Sequence, residues 1–122
     1  GTGKCDAHYT GNSDDVMWGV LFDICETQKA ILDTFESLGV GYCIKQIEVI
    51  DDEGNVELAF MYQAIRIKRS AKPLCWYKQH VLFGAKRLAL PDSYIKHIDS
   101  IQTIVDSNSE RRTQELSIYK NY

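Results

Sequence analysis

Two strand-like runs joined by an acidic turn place the strongest constraint on the fold of this chain. Residues 42–50 and 56–65 are rich in apolar side chains with polar ones between them, and residues 51–55 read Asp-Asp-Glu-Gly-Asn. An acidic pentapeptide that contains glycine is typical of a tight turn between antiparallel strands. We therefore predict a β-hairpin. The face of the second strand expected to pack on a core carries Val56, Leu58, Phe60, Tyr62 and Ala64.

The stretch before the hairpin, residues 26–42, has the pattern of a short helix followed by a turn. Ile31, Leu32 and Phe35 share one side, and Glu36 is the carboxylate of the last turn. Gly39 and Gly41 follow and allow the backbone to turn sharply into the strand. We predict a helix, a glycine turn and then a strand that starts at Tyr42.

Residues 16–24 read VMWGVLFDI and are apolar at both alternating sets of positions. A strand that is apolar on both faces is expected inside a sheet or a barrel wall. We predict such a strand here, and a short strand around residues 5–9 within an otherwise loop-like start.

The C-terminal half has helical periodicity. Apolar residues recur every three or four positions from Pro73 to Leu88, and again after Pro91, where Asp92 or Ser93 is the expected cap. The predicted apolar stripes are Leu74, Tyr77, Val81, Ala85 and Leu88 in the first helix, and Tyr94, Ile98, Ile101 and Val105 in the second. Residues 107–122 are mostly polar, and we expect a tail that is loosely held or used against a partner.

Composition excludes several classes of function. With 122 residues the chain fits one domain, residues 1–122, and the net charge of -3 gives no reason to expect a nucleic-acid partner. No apolar run reaches the length that crosses a bilayer, so no membrane partner is expected. The basic connector at residues 66–72 is most simply a solvated loop.

The cysteines and histidines show no ligand spacing. Cys5, Cys25, Cys43 and Cys75 contain no CxxC pair, and His8, His80 and His97 share no spacing with them or with a serine. We expect no metal, no cofactor and no catalytic triad. Three of the cysteines lie in apolar segments, so we interpret them as reduced core thiols of a cytoplasmic protein.

An ordered set of short motifs resembles the gamma-glutamylcyclotransferase family, which includes the AIG2-like proteins. The motifs lie between residues 16 and 104, and each is weak alone. They are Trp18-Gly19, Leu32-Asp33 leading to Glu36, Gly41-Tyr42, Tyr62, and a final block of Pro73, Tyr77, Gly84-Ala85, Leu90-Pro91 and Tyr94.

The resemblance implies an α+β fold, a small mixed β-barrel flanked by helices, with a ligand cavity at one end. It also implies an N-terminal strand and a YGSN-type loop that cradles the γ-glutamyl group. We find neither in this chain, and Thr10-Gly11-Asn12 is too close to Trp18 to be that loop. We therefore expect an N-terminally truncated domain or a short natural variant. Ser37 is a further departure, because the family commonly has glycine after the glutamate.

The family reaction cyclises a γ-glutamyl amine or amino acid to 5-oxoproline and releases the amine. One carboxylate can take a proton from the attacking amine and deliver it to the leaving amine, and the resemblance implies Glu36 as this general acid/base. We also expect Tyr42, Tyr62 and Trp18 to bind the substrate, and Phe35, Tyr42 and Trp18 to give Glu36 apolar surroundings. The alternatives are that Glu36 is an ordinary exposed helix acid and that the aromatic residues belong to the core.

A second function from a different class stays open. On the same fold the chain would be a non-catalytic module that binds a small ligand or another protein. An open barrel edge invites pairing with another chain, so we also expect a homodimer through that edge.

Overall fold

The computed structural model describes residues 2–121. Its helices are α1 (Glu26–Phe35), α2 (Cys75–Arg87), α3 (Asp92–Ser100) and α4 (Ser109–Leu116), followed by a 3-10 helix (Ser117–Tyr119). Its strands are β1 (Tyr42–Ile50) and β2 (Val56–Ala64). The chain divides into two compact units. We call residues 6–67 the hairpin unit, and residues 2–5 together with 68–121 the helical unit.

The predicted hairpin is confirmed. β1 and β2 pair antiparallel over nine residues each, from Tyr42 opposite Ala64 to Ile50 opposite Val56. In the turn, the Asp51 carboxylate accepts hydrogen bonds from the backbone N–H of Glu53 at 2.9 Å and of Asn55 at 2.8 Å. Gly54 has a φ of +85°, which a glycine adopts without steric cost. These bonds fix the register in which Tyr42 and Tyr62 stand on the same face of the hairpin.

The expected burial of that face is only partly correct. Near the turn, Val56 is 60% exposed and Leu58 is 71% exposed, whereas Tyr62 and Ala64 at the other end are half-buried. The apolar pattern of β2 therefore predicts the strand, but it packs only toward the end nearest α1.

The strand predicted at residues 16–24 is wrong. These residues have no regular structure, and several of their large apolar side chains are exposed, including Phe22 at 77%. A strand needs a neighbour for its backbone groups, and within residues 2–121 the sheet consists of β1 and β2 alone. The α+β class is confirmed, but the barrel is not closed in the part of the chain that the structure describes. The short strand expected at residues 5–9 is also not formed.

The helix and turn before the hairpin follow the prediction closely. The side chain of Gln28 accepts a hydrogen bond from the Cys25 N–H at 3.0 Å and so satisfies a donor at the start of α1. At its end, the N–H of Ser37 donates to Thr34 and that of Leu38 donates to Asp33, the bonding pattern of a Schellman motif. Ser37 occupies the left-handed position of this motif with a φ of 50°.

The helical unit contains the core of the molecule. Leu82, Ala85 and Ile98 form a buried cluster between α2 and α3. Four half-buried apolar residues pack against it, namely Val81, Leu90, Tyr94 and Ile95. The predicted α2 stripe is therefore rotated. Leu82 lies inside at 3% exposure, whereas Leu88 is 50% exposed.

α2 also ends in a Schellman motif, with Ala89 at the left-handed position and a φ of 50°. The N–H of Leu90 donates to Ala85 at 3.0 Å. α3 is shorter than predicted, because it ends at Ser100. Ile101 and Val105 therefore lie beyond the helix and are exposed.

Residues 107–121 differ from the loosely held tail that we expected. The segment forms α4 and the 3-10 helix, and the Asn108 side chain caps α4 by accepting from the Arg111 N–H. His80 of α2 contacts Glu115 through Nε2 at 3.1 Å and Tyr119 through Nδ1. These side chains attach the segment to α2. Gly1 and Tyr122, the two ends of the predicted domain, lie outside the described residues.

None of the helices between residues 2 and 121 combines the length and apolar character that crossing a membrane requires.

Candidate functional site

Glu36 is the C-cap residue of α1 and is half-buried. Its backbone N–H donates to Leu32 at 2.8 Å, so the residue still belongs to the helical hydrogen-bond ladder. A Cβ atom added at Gly41 would lie 3.2 Å from the Glu36 carbonyl oxygen. Only glycine allows this close approach without a shift, and so the predicted glycine turn fixes the position of Glu36 relative to β1.

Tyr62 of β2 reaches α1 through a short hydrogen bond. Its hydroxyl donates to Oδ1 of Asp33 at 2.5 Å. The ammonium of Lys29, one turn earlier on α1, donates to both oxygens of the same carboxylate, at 3.1 and 2.9 Å. We call Lys29, Asp33 and Tyr62 the Asp33 network. It joins the helix that carries Glu36 to the strand that carries Tyr62.

The pKa values follow from these contacts. The hydrogen bond from Tyr62, and then that from Lys29, hold the pKa of Asp33 below its usual range. Burial raises the pKa of Tyr62 to about 12, with further contributions from the hydrogen bond and charge of Asp33 and from the charge of Glu36. At neutral pH Asp33 is therefore charged and Tyr62 is protonated.

Phe60 supports the same network from the strand. Its ring stands edge to face with Tyr62, with the centroids 6.0 Å apart. The ammonium of Lys29 lies 5.7 Å from the centre of the Phe60 ring. Both contacts lie in the ranges typical of aromatic pairs and of cation–π pairs, and they restrict the positions of Tyr62 and Lys29.

This arrangement favours a ligand that donates hydrogen bonds. Tyr62 has a single proton, which it gives to Asp33, so its oxygen can offer only lone pairs to anything else. Glu36, when ionised, also offers only acceptors. Together the two residues present acceptors to an amine or ammonium group.

The structure brings some of the predicted site residues together. Tyr42 begins β1 and pairs with Ala64, and Ile44 pairs with Tyr62. Tyr42 is therefore the diagonal neighbour of Tyr62 on one face of the hairpin. With Glu36 and Tyr62 it forms one end of the hairpin unit.

Trp18 stands apart from this group. It lies in the irregular segment and is 42% exposed, and within residues 2–121 it makes no ring contact or hydrogen bond with Glu36 or Tyr62. Phe35 is 81% exposed. It therefore does not supply the apolar surroundings that we expected around Glu36. The binding role of Trp18 remains a prediction.

Asp33 and Lys29 are candidate site residues that the sequence did not indicate. Asp33 was recognised only as part of a motif, although its spacing of four residues from Lys29 is that of a helix ion pair. That spacing is the sequence signal for the pair. Nothing in the sequence indicates that Tyr62 would complete it, because that contact spans 29 positions.

Most of the cysteines are exposed. All four cysteines are free, and Cys5, Cys25 and Cys43 are exposed, so the expectation of core thiols is wrong for these three. In residues 2–121 no group of three or more His, Cys, Asp or Glu side chains could hold a metal ion. Two surface clefts open in the helical unit, and Glu36 lines neither of them.

Solved structures show the same fold. A protein described as a gamma-glutamyl cyclotransferase superposes with a TM-score of 0.61 at 22% identity, covering 75% of this chain and 57% of that one. An uncharacterized protein from Homo sapiens superposes with a TM-score of 0.60 at 24% identity, covering 73% of this chain and 56% of that one. The chain thus spans less than two thirds of either structure. None of the curated protein sequences matches it.

The sequence also matches a family model. The match to the AIG2-like family runs over residues 16–98, which include Trp18, Glu36, Tyr42 and Tyr62. The gamma-glutamylcyclotransferase-like fold and the predicted resemblance are both confirmed. The chain belongs to the AIG2-like family.

Proposed function

We propose that this protein acts on a small γ-glutamyl amide and cyclises it to 5-oxoproline, with Glu36 as general acid/base. The observation that carries the proposal is that Glu36 ends α1, the helix to which Tyr62 is bonded through Asp33, and that all three residues match the family. The solved gamma-glutamyl cyclotransferase with the same fold supports the choice of reaction class.

The reaction is an internal acyl transfer that needs no cofactor. The α-amine of the substrate loses a proton to Glu36, and its nitrogen attacks the γ-carbonyl carbon. A new C–N bond closes the five-membered lactam, the old amide C–N bond breaks, and Glu36 returns the proton to the leaving nitrogen. The resemblance places the donors for the carbonyl oxyanion on a YGSN-type loop, which we do not find in residues 1–122.

The Asp33 network suits this reaction. The lone pairs that Tyr62 leaves exposed can accept a hydrogen bond from the substrate's α-amine and hold it toward Glu36. Asp33 cannot compete for the substrate proton as a base, because its pKa is lowered and both its oxygens are occupied by Lys29 and Tyr62. We therefore assign proton transfer to Glu36, substrate binding to Tyr42, Tyr62 and Trp18, and positioning to Asp33.

The test is a 5-oxoproline assay with a panel of γ-glutamyl amino acids and γ-glutamyl amines. We expect turnover that Glu36→Gln abolishes and that Glu57→Gln, an exposed acid of β2, leaves unchanged. No turnover from the folded protein, or equal turnover from Glu36→Gln, would contradict the proposal.

The exposed apolar surface of the hairpin unit favours a second function, an interaction module on the same fold. Val16, Met17 and Phe22 are more than half exposed in a segment without regular structure. Large exposed apolar surfaces commonly mark interaction sites, and a second copy of the chain can cover this one through the open sheet edge.

Sedimentation at high protein concentration tests the homodimer. A monomer would contradict it, and so would a dimer that Phe22→Ser and Val16→Ser leave intact. We also propose a cytoplasmic location, because three of the free thiols are exposed and a reducing compartment keeps such thiols unpaired.

A further inference from the structure

A cleft of about 410 Å³ opens in the helical unit, at the start of α2. Its walls include Gly3, Lys4, Leu74, Trp76, Tyr77 and Arg111. The volume lies in the range of small-molecule sites. Leu74, Trp76 and Tyr77 lie within the residues that match the AIG2-like family, whereas Lys4 and Arg111, the two cations of the cleft, lie outside them.

One wall is held in place by backbone contacts. The N–H of Gly3 donates to Lys72 at 2.9 Å, and the N–H of Cys5 donates to the Tyr77 hydroxyl at 3.0 Å. A Cβ atom at Gly3 would lie 2.7 Å from the Ala71 carbonyl oxygen, so only glycine lets the two segments come this close. These contacts on either side of Lys4 fix its backbone at the rim of the cleft.

Another part of the lining is held by a buried carboxylate. Asp106, whose side chain is 1% exposed, accepts from Nε of Arg111 at 2.6 Å and from Nη2 at 2.7 Å. It also accepts from Nε1 of Trp76 at 2.8 Å. One carboxylate therefore orients both a guanidinium and an indole. The Arg111 side chain is 51% exposed and keeps further N–H donors that these bonds do not use.

Two cations and two aromatic rings line the cleft. Lys4 and Arg111 supply the cations, and Asp106, which lies outside the lining, offsets the charge of Arg111, so one net positive charge remains. Trp76 and Tyr77 stand edge to face, with centroids 6.2 Å apart. Leu74 adds a side chain that is 9% exposed.

We propose that this cleft binds a small organic anion, a carboxylate or phosphate ester with a flat apolar body. The anionic group lies between the Lys4 ammonium and the free guanidinium edge of Arg111, which is shaped for carboxylate and phosphate oxygens. The apolar body lies against Trp76 and Tyr77. The site is independent of Glu36 and of the reaction proposed above.

Trp76 fluorescence reports binding directly. The chain has two tryptophans, and in a Trp18→Phe background Trp76 is the remaining one. Benzoate and phenyl phosphate serve as anionic probes, benzyl alcohol as the neutral probe and benzylamine as the cationic probe. We expect a saturable change with one or both anions at millimolar concentration and none with the other two. Which anion binds more tightly distinguishes a carboxylate site from a phosphate site.

Two substitutions that each remove one positive charge test whether the anion binds in the cleft. Lys4→Gln removes an exposed cation at the cleft and is expected to raise the Kd about fivefold, the effect of one weak ion pair. Lys86→Gln removes a cation from the last turn of α2, at the opposite end of that helix, and should leave the Kd unchanged. The absence of saturable binding, an equal response to benzyl alcohol, or an unchanged Kd in Lys4→Gln would each overturn the proposal.

Discussion

The two units of the molecule are stabilised by different kinds of interaction. Among residues 2–121 the buried residues all lie in the helical unit, namely Leu74, Leu82, Ala85, Ile98 and Asp106, whereas most of the exposed large apolar side chains lie in the hairpin unit. The hairpin unit is held by the β1–β2 ladder and the Asp33 network. The candidate catalytic group thus lies in the unit that lacks a buried core. The helical unit is thus stabilised mainly by burial, and the hairpin unit mainly by hydrogen bonds.

The largest expected effect is the loss of a core leucine. Leu82→Ala should destabilise the protein by about 2–5 kcal/mol, because it leaves a cavity in the α2–α3 cluster. Leu58→Ala makes the same chemical change at a side chain that is 71% exposed, and should change stability by less than about 0.5 kcal/mol. Urea unfolding measures both. Similar losses from the two substitutions would contradict the contrast between the units.

Asp106→Asn is expected to lower the melting temperature at neutral pH, because it removes the charge that holds Arg111 and Trp76. The Arg111 guanidinium holds the pKa of Asp106 well below its usual range. The folded carboxylate therefore stays ionised where the unfolded one takes up a proton, so its stabilisation is complete above about pH 4 and is lost as the pH falls further.

Melting curves between pH 7 and pH 2 test this linkage. The wild-type protein should lose more stability in acid than Asp106→Asn does. Asp52→Asn, in the hairpin turn, is the matched control and should keep the wild-type profile. An acid profile of Asp106→Asn that matches the wild type would rule out this role for Asp106.

Relief of backbone strain is expected to stabilise the protein by a smaller amount, and by a similar amount in the two units. Ser37 and Ala89 both have a φ of 50° at the end of a helix, where glycine avoids the steric cost of a Cβ. Ser37→Gly and Ala89→Gly should each stabilise the protein by about 0.5–1 kcal/mol. Ser93→Gly, within α3, should destabilise it instead. A loss of stability in Ser37→Gly would show that the serine side chain makes a compensating contact.

The smallest effect concerns the Asp33 network. Tyr62→Phe should raise the pKa of Asp33 toward its usual value, since it removes the largest cause of the shift, and Lys29→Gln should raise it less. NMR titration of the Asp33 carboxyl carbon measures both changes. If Lys29→Gln had the larger effect, the ion pair rather than the phenol would hold the carboxylate.

Local sequence patterns correctly predicted the elements that are formed by contacts between residues close in the sequence. The hairpin, α1 and the turn to Tyr42 depend on neighbours in the sequence, and all three were predicted within a residue or two. The face of α2 was misplaced, because Leu82 is buried by α3 and nothing within α2 distinguishes it from Leu88. The strand predicted at residues 16–24 failed for a related reason. Its apolar pattern suits a strand, but a strand also needs a partner, which its own sequence does not specify.

For the candidate site too, the residues were predicted but the long-range contact was not. Glu36, Tyr42 and Tyr62 were all predicted through motifs of the family. The hydrogen bond from Tyr62 to Asp33 joins residues 29 positions apart and could not be inferred from either local pattern. The bonding of Trp76 and Arg111 to Asp106 was missed likewise, since residues 107–122 were interpreted only by their polarity.

The in-register hairpin also offers a position for a label. The turn at residues 51–55 lies about 20 Å along β2 from Tyr62, at roughly 3.4 Å per residue. Its five residues are exposed, and the bonds that order it are formed within the turn itself. A fluorophore or affinity tag attached at Glu53 would therefore report on the protein from outside the Asp33 network.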